Sequence, residues 1–253
     1  MTVQGTDGNH LKKTATRRTW LVLLLVSLQA CAVRSPYDDV SDPLQPLNRV
    51  VYRFNDTVDR HLVRPVAERY REYVPSVVQT GVLNFFGNLY EPIVIVNDLL
   101  QWKPGQFASD TMRFGFNTIF GVGGLIDVGT PWGLPHHQED FGQTFGVWGF
   151  GEGWYLVLPL IGPSTVRDTA GLPLSWSLDP VQYRPNPWER AGWYTLFAVS
   201  RRAELLSASR VLDAGSVDAY LQVREAYRQQ RWYDIHDGDP PEPDFLDEEL
   251  FSD

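Results

Sequence analysis

Apolar residues recur at helical spacing just after residue 42. They stand three or four residues apart, at Leu44, Leu47, Val51, Phe54 and Val58. This spacing places them on one face of a helix. Asp42 suits a capping residue, Pro43 the first helical position, and Gln45 the partner in a capping box. The apolar face fits either a helix that packs on a core or a helix that lies in a membrane interface.

Further helical patterns follow before residue 121. They cover Pro65–Tyr73, Val78–Leu89, Pro92–Trp102 and Phe107–Phe120. The run Ile93–Val96 taken alone favours a strand, because β-branched residues are enriched in strands. Its position between helical segments favours a helix instead. The first half of the chain is therefore predicted to be helical.

The pattern changes between Gly121 and Gly162, where glycines are dense and prolines interrupt the chain. Glycine frees the backbone and lets segments pack closely, so this stretch is predicted to be irregular or hairpin backbone. Within it, Asp140–Val147 is predicted to form a short helix. Trp154–Leu160 is the best strand candidate. Successive side chains of a strand point to opposite faces, and here both faces carry apolar residues. The strand is therefore expected to be buried or to contact lipid.

The last third of the domain returns to helical patterns. A helical turn is predicted after Ser164, and the proline-rich residues 171–188 are predicted to be irregular. Trp188–Ser209 and Ser216–Tyr233 are predicted to be helices, the second with Ser216 as its capping residue.

Three arginines form a basic stripe on the last predicted helix. Arg224, Arg228 and Arg231 are four and three residues apart and share one face. A solvated face is the ordinary expectation for such a stripe. Contact with lipid phosphates or with the acidic end of the chain is the alternative.

The N-terminal 30 residues have the pattern of a secretory signal. Four basic residues precede an apolar run of nine, Trp20–Leu28, and a small residue, Ala30, stands before Cys31. The sequence Leu28-Gln29-Ala30-Cys31 resembles the bacterial lipobox, whose cysteine receives a diacylglycerol and is then acylated at its amino group. The apolar run is too short for the roughly 20 residues of a spanning helix.

Other interpretations of this segment stay open. It fits an ordinary signal peptide with a chance cysteine, or an uncleaved anchor. Arg17-Arg18 also resembles a twin-arginine export signal, so either the Sec or the Tat route fits. Ala32, rather than an aspartate, follows Cys31, which favours the outer membrane.

Composition and charge limit the classes of function. The chain has a net charge of −9; residues 1–30 carry four bases and one acid, and residues 237–253 carry eight acids and no base, which leaves −4 for the part between them. Such a domain has no general attraction for nucleic acid. Cys31 is the only cysteine, so the mature domain folds without a disulfide or a thiolate metal site. Nine Trp and eleven Tyr suit a membrane interface as well as an ordinary core.

The chain therefore divides into four parts. Residues 1–30 are the signal, 31–41 a linker from the lipidated cysteine, 42–236 the domain, and 237–253 an acidic tail that is expected to be disordered.

Two groups of residues resemble a metal site and a phosphate-binding loop but lack the spacing that such sites require. The histidines His136 and His137, beside Glu139 and Asp140, have no helical i, i+4 pairing, so no metal site is expected. The glycines of residues 121–124 follow a helix rather than a strand and lack the lysine of a phosphate loop.

Ser164, a histidine and Asp168 could be drawn as a hydrolase triad. No G-x-S-x-G turn surrounds Ser164, so no catalytic residue is assigned. Arg167 beside Asp168 is expected to be a structural ion pair rather than a head-group binder.

A series of motifs in fixed order runs through the domain. They are Asp42-Pro43-Leu44 with Asn48-Arg49 and Phe54-Asn55; Asn84-Phe85 with Asn88-Leu89 and Glu91-Pro92; Arg113-Phe114 with Asn117-Thr118, Gly121, Gly123-Gly124 and Asp127-Val128; Glu139 to Gly146 with Gly149, Gly151 and Gly153; Leu158-Pro159 with Gly162-Pro163-Ser164 and Arg167-Asp168; and Val223 to Tyr227. The series resembles the MlaA (VacJ) family of outer-membrane lipoproteins. The resemblance covers roughly residues 42–233.

This resemblance implies a mainly α fold, a ring of amphipathic helices embedded in the membrane interface with a Gly-rich irregular or hairpin segment. It implies that the protein is anchored through Cys31 on the periplasmic side of the outer membrane. An amphipathic channel would remove mislocalised phospholipid from the outer leaflet and pass it to a soluble periplasmic carrier that feeds an inner-membrane transporter. A trimeric porin is an expected partner. No cofactor, metal or bond-breaking step is implied.

The Gly-rich segment is the candidate for channel lining or gating, because irregular backbone at membrane depth is tolerated where it lines a cavity. The residues proposed for this role are Phe145, Trp148, Gly149, Phe150, Gly151 and Trp154. Two alternatives remain, an envelope scaffold that associates with porins without moving lipid, and a periplasmic lipid hydrolase. The sequence offers the hydrolase no credible nucleophile and base.

Overall fold

The structure is a computed structural model that describes residues 42–215 and 218–241, with the side chains of residues 210–215 left out. The signal, the linker, Cys31, Ser216 and residues 242–253 lie outside the described residues.

Helices dominate the described residues, as the sequence predicts. They are α1 (Gln45–Val58), α2 (Arg64–Tyr73), α3 (Ser76–Leu100), α4 (Pro104–Ile119), α5 (Phe141–Val147), α6 (Val166–Leu178), α7 (Pro187–Gly215) and α8 (Ala219–Ile235). Short 3₁₀ turns cover Thr130–Trp132 and Pro180–Tyr183. The mainly α fold class is confirmed.

The predicted hairpin is also present. Strands β1 (Tyr155–Leu158) and β2 (Gly162–Thr165) pair antiparallel, with Tyr155 opposite Thr165 and Leu158 opposite Gly162. Two asparagines of α1 hold β1 in place. The Asn48 side chain donates to the Tyr155 carbonyl at 2.9 Å and accepts from the Val157 amide, and Asn55 bonds the Leu158 carbonyl and the Leu160 amide in the same way.

Several predicted helix boundaries are wrong because helices continue through residues expected to end them. Helix α3 runs unbroken through Pro92, where the sequence suggested two helices. Residues 171–188 were expected to be irregular, but α6 continues through Pro173 to Leu178. Proline removes one backbone hydrogen bond of a helix, and packing against neighbouring helices offsets that loss at both positions. The ambiguous run Ile93–Val96 is helical.

Two predicted helix caps are also wrong. The residue before α1 is Leu44, which makes no side-chain cap, and Asp42 instead accepts hydrogen bonds from Asn48 and from the Tyr220 hydroxyl. Helix α8 is capped by Asp218, which accepts from two backbone amides, whereas the predicted cap, Ser216, lies outside the described residues. The start of α5 is confirmed, since Asp140 accepts from the Gln143 amide at 2.9 Å.

The distribution of polar and apolar side chains is inverted relative to an ordinary soluble domain. Among the described residues, eighteen buried side chains are polar or charged and twelve are hydrophobic, while large apolar side chains such as Val77, Ile119 and Leu160 are exposed. Large exposed apolar areas mark surfaces that contact a partner or a membrane. In the described part of the chain, no helix combines the length and apolar character needed to cross a membrane.

Candidate functional site

The predicted gating residues lie in one segment that covers the end of α5 and the loop leading to β1, here called the aromatic turn (residues 145–154). The Phe145 ring lies 6.0 Å from the Trp148 ring and 6.1 Å from the Phe150 ring, measured between centroids. Gly149 has a φ of +89°, a left-handed conformation that glycine adopts without steric cost. The chain therefore reverses at Gly149 and brings Trp148 and Phe150 onto the same ring, Phe145.

The aromatic turn presents its rings to the outside of the protein. Trp148 is 51% exposed, Phe150 39% and Trp154 58%. The Trp148 indole donates to the Leu100 carbonyl at 3.1 Å, which ties the turn to the end of α3. Trp102, two residues beyond Leu100, is 88% exposed and also has a left-handed backbone, with a φ of +57°.

The structure brings together four of the six predicted gating residues. Phe145, Trp148, Gly149 and Phe150 form the ring cluster, whereas Gly151 and Trp154 lie further along the turn, where the chain enters the hairpin. The Trp154 carbonyl accepts from the Val166 amide at 3.0 Å, so Trp154 is fixed at the junction with α6.

The start of α5, the helix that leads into the aromatic turn, rests on a buried ion-pair cluster. Arg231 of α8 bonds both oxygens of Asp140, at 2.7 and 2.9 Å, and one oxygen of Asp168, at 3.1 Å. Asp168 also accepts from Arg167 and from the Tyr227 hydroxyl. Burial alone would raise the pKa of Asp168, but the Arg231 and Arg167 guanidinium groups outweigh it and lower that pKa to about 2.

The far side of the turn is held by a second arginine of α8. Arg228, which is buried, bonds the Glu152 carboxylate at 3.0 Å, and the Glu152 carbonyl accepts from the Arg167 amide. Arg224 pairs with Glu225 and Asp42. The basic stripe is therefore an internal ion-pair ladder, and the expectation of a solvated face is wrong. The expected Arg167–Asp168 ion pair is confirmed.

Two glycines to which the sequence analysis assigned no role allow this cluster to form. A Cβ at Gly142 of α5 would lie 2.4 Å from an Asp168 carboxylate oxygen, and one at Gly171 of α6 would lie 2.8 Å from the Gly142 amide nitrogen. Helices α5 and α6 therefore approach closely through Gly142 and Gly171, which places Asp140 and Asp168 on the same arginine, Arg231.

A third buried cluster contains the His-and-acid constellation seen in the sequence. His137 contacts the fully buried Asp110 at 2.9 Å, and Lys103 joins Glu139 at 2.8 Å to Asp237 at 2.5 Å. Within the described ranges, no three His, Cys, Asp or Glu side chains are grouped so that they could hold a metal ion. Asp237, the first residue of the acidic tail, is thus held against the domain.

Asp98 lies fully buried in the same cluster beside Asp110. Burial and the Asp110 carboxylate raise the pKa of Asp98 to about 8. The folded protein therefore keeps a proton on this pair at neutral pH.

This raised pKa predicts a pH dependence. Between the ordinary carboxyl pKa of about 3.9 and a pKa of about 8, the folded state holds a proton that the unfolded state has released. The free energy of unfolding should therefore fall by a few kcal/mol as the pH rises through this range. Asp98→Asn should remove this dependence on pH. Urea unfolding between pH 5 and pH 9 measures the free energy of unfolding of each protein. Asp56→Asn is the control, because Asp56 pairs with Arg60 at the surface. If the free energy of unfolding changes equally with pH in the wild type, Asp98→Asn and Asp56→Asn, the prediction is contradicted.

The residues that resembled a hydrolase triad and a phosphate loop make structural contacts instead. The Ser164 hydroxyl bonds Thr169 and the Thr165 carbonyl, while His136 bonds Glu91, so the drawn triad is not assembled. The glycines of residues 121–124 form a tight loop rather than a phosphate cradle, because a Cβ at Gly124 would lie 2.3 Å from the Asn88 side chain.

Comparison with known proteins finds a family model and several relatives that resemble most of this chain. The family model described as MlaA lipoprotein matches residues 40–234. A relative from Escherichia coli (strain K12), named intermembrane phospholipid transport system lipoprotein MlaA, is 40% identical over 210 residues, which cover 79% of this chain and 80% of the relative. A relative of the same name from Haemophilus influenzae is 32% identical over 234 residues, covering 89% of this chain and 92% of the relative.

One solved structure is similar at the level of the fold. It is described as the structural basis for maintenance of bacterial outer membrane lipid asymmetry. The TM-score is 0.69 at 37% identity, and the match covers 78% of this chain and 100% of the other.

Proposed function

The chain belongs to the MlaA lipoprotein family, and we propose that it removes mislocalised phospholipid from the outer leaflet of the outer membrane. It passes this lipid to a soluble periplasmic carrier and so maintains the lipid asymmetry of the membrane. The activity moves lipid and breaks no covalent bond. The relatives named above are lipoproteins of a phospholipid transport system, which supports this proposal.

The observation that carries the proposal is the inverted distribution of side chains. An apolar exterior suits a protein whose outer surface meets lipid, and a polar interior suits the surroundings of a head group better than an ordinary apolar core does. A phospholipid needs both environments at once, because its acyl chains are apolar and its head group is charged.

The aromatic turn supplies the apolar contact of the proposed path. Phe145, Trp148 and Phe150 expose ring surface to acyl chains, while Arg231 fixes the start of α5 before the turn and Arg228 fixes Glu152 within it. Trp148 is suited to a boundary between lipid and water, since its indole nitrogen is hydrogen-bonded while its ring is half exposed.

The anchoring and the partners belong to the same proposal. Cys31 would carry the lipid that holds the protein on the periplasmic side of the outer membrane. A trimeric porin would position the protein in that membrane, and the soluble carrier would accept the lipid. The many exposed large apolar side chains of the domain support contact with both bilayer and porin.

Loss of the rings of the aromatic turn tests the proposal. Trp148→Ser combined with Phe150→Ser should leave the ion-pair clusters intact and lower the clearance of outer-leaflet phospholipid severalfold, because the apolar contact is removed. The measurement is the phospholipid content of the outer leaflet in cells that carry each variant at equal protein abundance.

Trp188→Ser is the matched control, since Trp188 is also strongly exposed but stands at the start of α7. Equal clearance by the double variant and by the wild type would remove the aromatic turn from the proposed lipid path.

A further inference from the structure

Helices α1 and α2 are joined without a break by a five-residue π-helical stretch, Asp59–Val63, here called the π segment. The Arg64 amide donates to the carbonyl of Asp59, five residues back, instead of four as in an α-helix. Both ends of the π segment keep right-handed helical backbone angles. The segment therefore places one residue more in the helical path than a regular α-helix would.

This surplus residue aligns the exposed apolar side chains of the two helices. They are Leu47, Val50 and Phe54 of α1 and Val66 and Tyr73 of α2, joined by Leu62 of the π segment itself. An α-helix turns about 100° per residue, so the eight positions from Phe54 to Leu62 would leave Leu62 about 80° away from the direction of Phe54. Seven positions would leave it only about 20° away. Because the π segment absorbs one residue, Leu62 lies on the same face as Phe54.

The surplus residue also aligns the inner face. In α1 this face carries Asn48 and Asn55, which bind the hairpin, and in α2 it carries Ala67, which packs on Val199 and Ala203 of α7. Asn55 and Ala67 are twelve positions apart, which in a regular α-helix is about 120° of misalignment, whereas eleven positions give about 20°.

The π segment itself is fixed to α7. Asp59 accepts two hydrogen bonds from Arg202, at 2.7 and 2.8 Å, and also contacts Arg64. The Arg202 guanidinium thus holds the first residue of the segment on the inner face. Two separate packing partners, the hairpin and α7, are satisfied only with this rotation, and the outer apolar face follows from it.

We propose that the π segment is a rotational alignment device that presents one continuous apolar face of α1 and α2 to the acyl chains of a phospholipid leaflet. This inference rests on the proposed function. The aligned face runs along 29 residues, about 43 Å of helix. It begins close to the membrane, since residues 32–41 span at most about 36 Å between Cys31 and the domain.

The charge beside this face suits the same surroundings. Arg53 is exposed on α1 and lies about 100° from Phe54, at one edge of the apolar stripe. A helix with an exposed apolar stripe and a basic flank lies along a bilayer surface, its apolar side in the acyl region and its arginine at the phosphates.

The test places a fluorophore on each side of the π segment in the full lipidated chain. Cys31 is the only native cysteine and its thiol carries the lipid, so a new cysteine labelled with NBD is unique. Phe54→Cys and Val66→Cys report the proposed face, and Glu68→Cys, at an exposed position on the other side of α2, is the control. Each protein is inserted into phosphatidylethanolamine and phosphatidylglycerol vesicles with brominated acyl chains.

We expect bromine quenching at positions 54 and 66 to be severalfold stronger than at position 68. Deleting the exposed His61 turns the π segment into regular α-helix and should keep quenching at both positions, because the two faces stay aligned. Inserting one alanine after His61 should lower the quenching at position 66 to the level at position 68.

Each contrary outcome overturns the inference. Quenching at neither position 54 nor 66 would mean that a protein partner or water covers the face. Quenching that survives the insertion, or that is lost on deletion of His61, would show that alignment is not the role of the π segment. The readout is contact with acyl chains, so its failure is separate from a failure of lipid clearance by the aromatic-turn variants.

Discussion

Replacing Arg231 with alanine is expected to destabilise the folded protein by about 3 to 5 kcal/mol. The substitution leaves Asp140 and the buried Asp168 without the guanidinium that both carboxylates share. Loss of one partner from a buried ion pair leaves an uncompensated charge in a medium of low dielectric constant. Such a loss is a large part of the stability of a typical domain. Urea unfolding of the full-length protein in detergent, followed by tryptophan fluorescence, measures the change.

Arg201→Ala is the matched control for this experiment. Arg201 pairs with Glu204 on the surface of α7, where an ion pair contributes about 0 to 1 kcal/mol. The pH dependence of the free energy of unfolding gives a second readout. The pKa of Asp168 is lowered to about 2, so this carboxylate stabilises the folded protein fully above the ordinary pKa of about 3.9. That stabilisation is lost as the pH falls towards 2. Arg231→Ala should flatten this acid loss. Similar free energies of unfolding for the two variants would contradict the prediction.

Replacing Gly149 with proline is expected to abolish most of the lipid clearance. Gly149 has a φ of +89°, and proline is restricted to a φ of about −65°. Proline also removes the amide that donates to the Gly146 carbonyl at 2.9 Å. The turn must then open, which separates Trp148 and Phe150 from Phe145. Outer-leaflet phospholipid should rise towards the level of cells that lack the protein.

Gly133→Pro is the control for the backbone change itself. Gly133 also follows an exposed tryptophan, has a φ of +80°, and donates its amide to a carbonyl three residues back. It lies in the loop after the Thr130–Trp132 turn, outside the aromatic turn. Clearance that is unaffected in Gly149→Pro, or equally reduced in Gly133→Pro, would contradict a specific role for the aromatic turn.

The basic stripe of α8 shows what periodicity could not determine. The spacing of Arg224, Arg228 and Arg231 correctly indicates one helical face, but not which side of the protein it meets. The usual assignment places charges outside and apolar residues inside. In this chain large apolar side chains are exposed and the stripe is internal, and two of its acidic partners, Glu152 and Asp140, lie far away in sequence.

The sequence predicted correctly those features that form between residues close to each other along the chain. The short helix at Asp140–Val147, the ion pair of Arg167 with Asp168, and the strand within Trp154–Leu160 were all predicted from neighbouring residues. The gating candidates clustered because they are close in sequence. The supports of the turn could not be found this way, because Arg231 lies 91 residues from Asp140 and 63 from Asp168.

Helix continuity was misjudged for a related reason. Pro92 and Pro173 each remove a hydrogen bond, which favours a break when only the local sequence is considered. Tertiary packing of α3 and α6 offsets that loss. The π segment has no comparable sequence signal, since its surplus residue is recognised only when both packing faces of α1 and α2 are known.

The central claim, that this lipoprotein clears phospholipid from the outer leaflet, is tested most directly by the lipid composition of that leaflet in cells lacking the protein. The account predicts that phospholipid accumulates there, that the wild-type protein removes it, and that Cys31→Ser at equal abundance does not. An outer leaflet that is unchanged by loss of the protein would contradict transport and would favour a scaffold of the envelope.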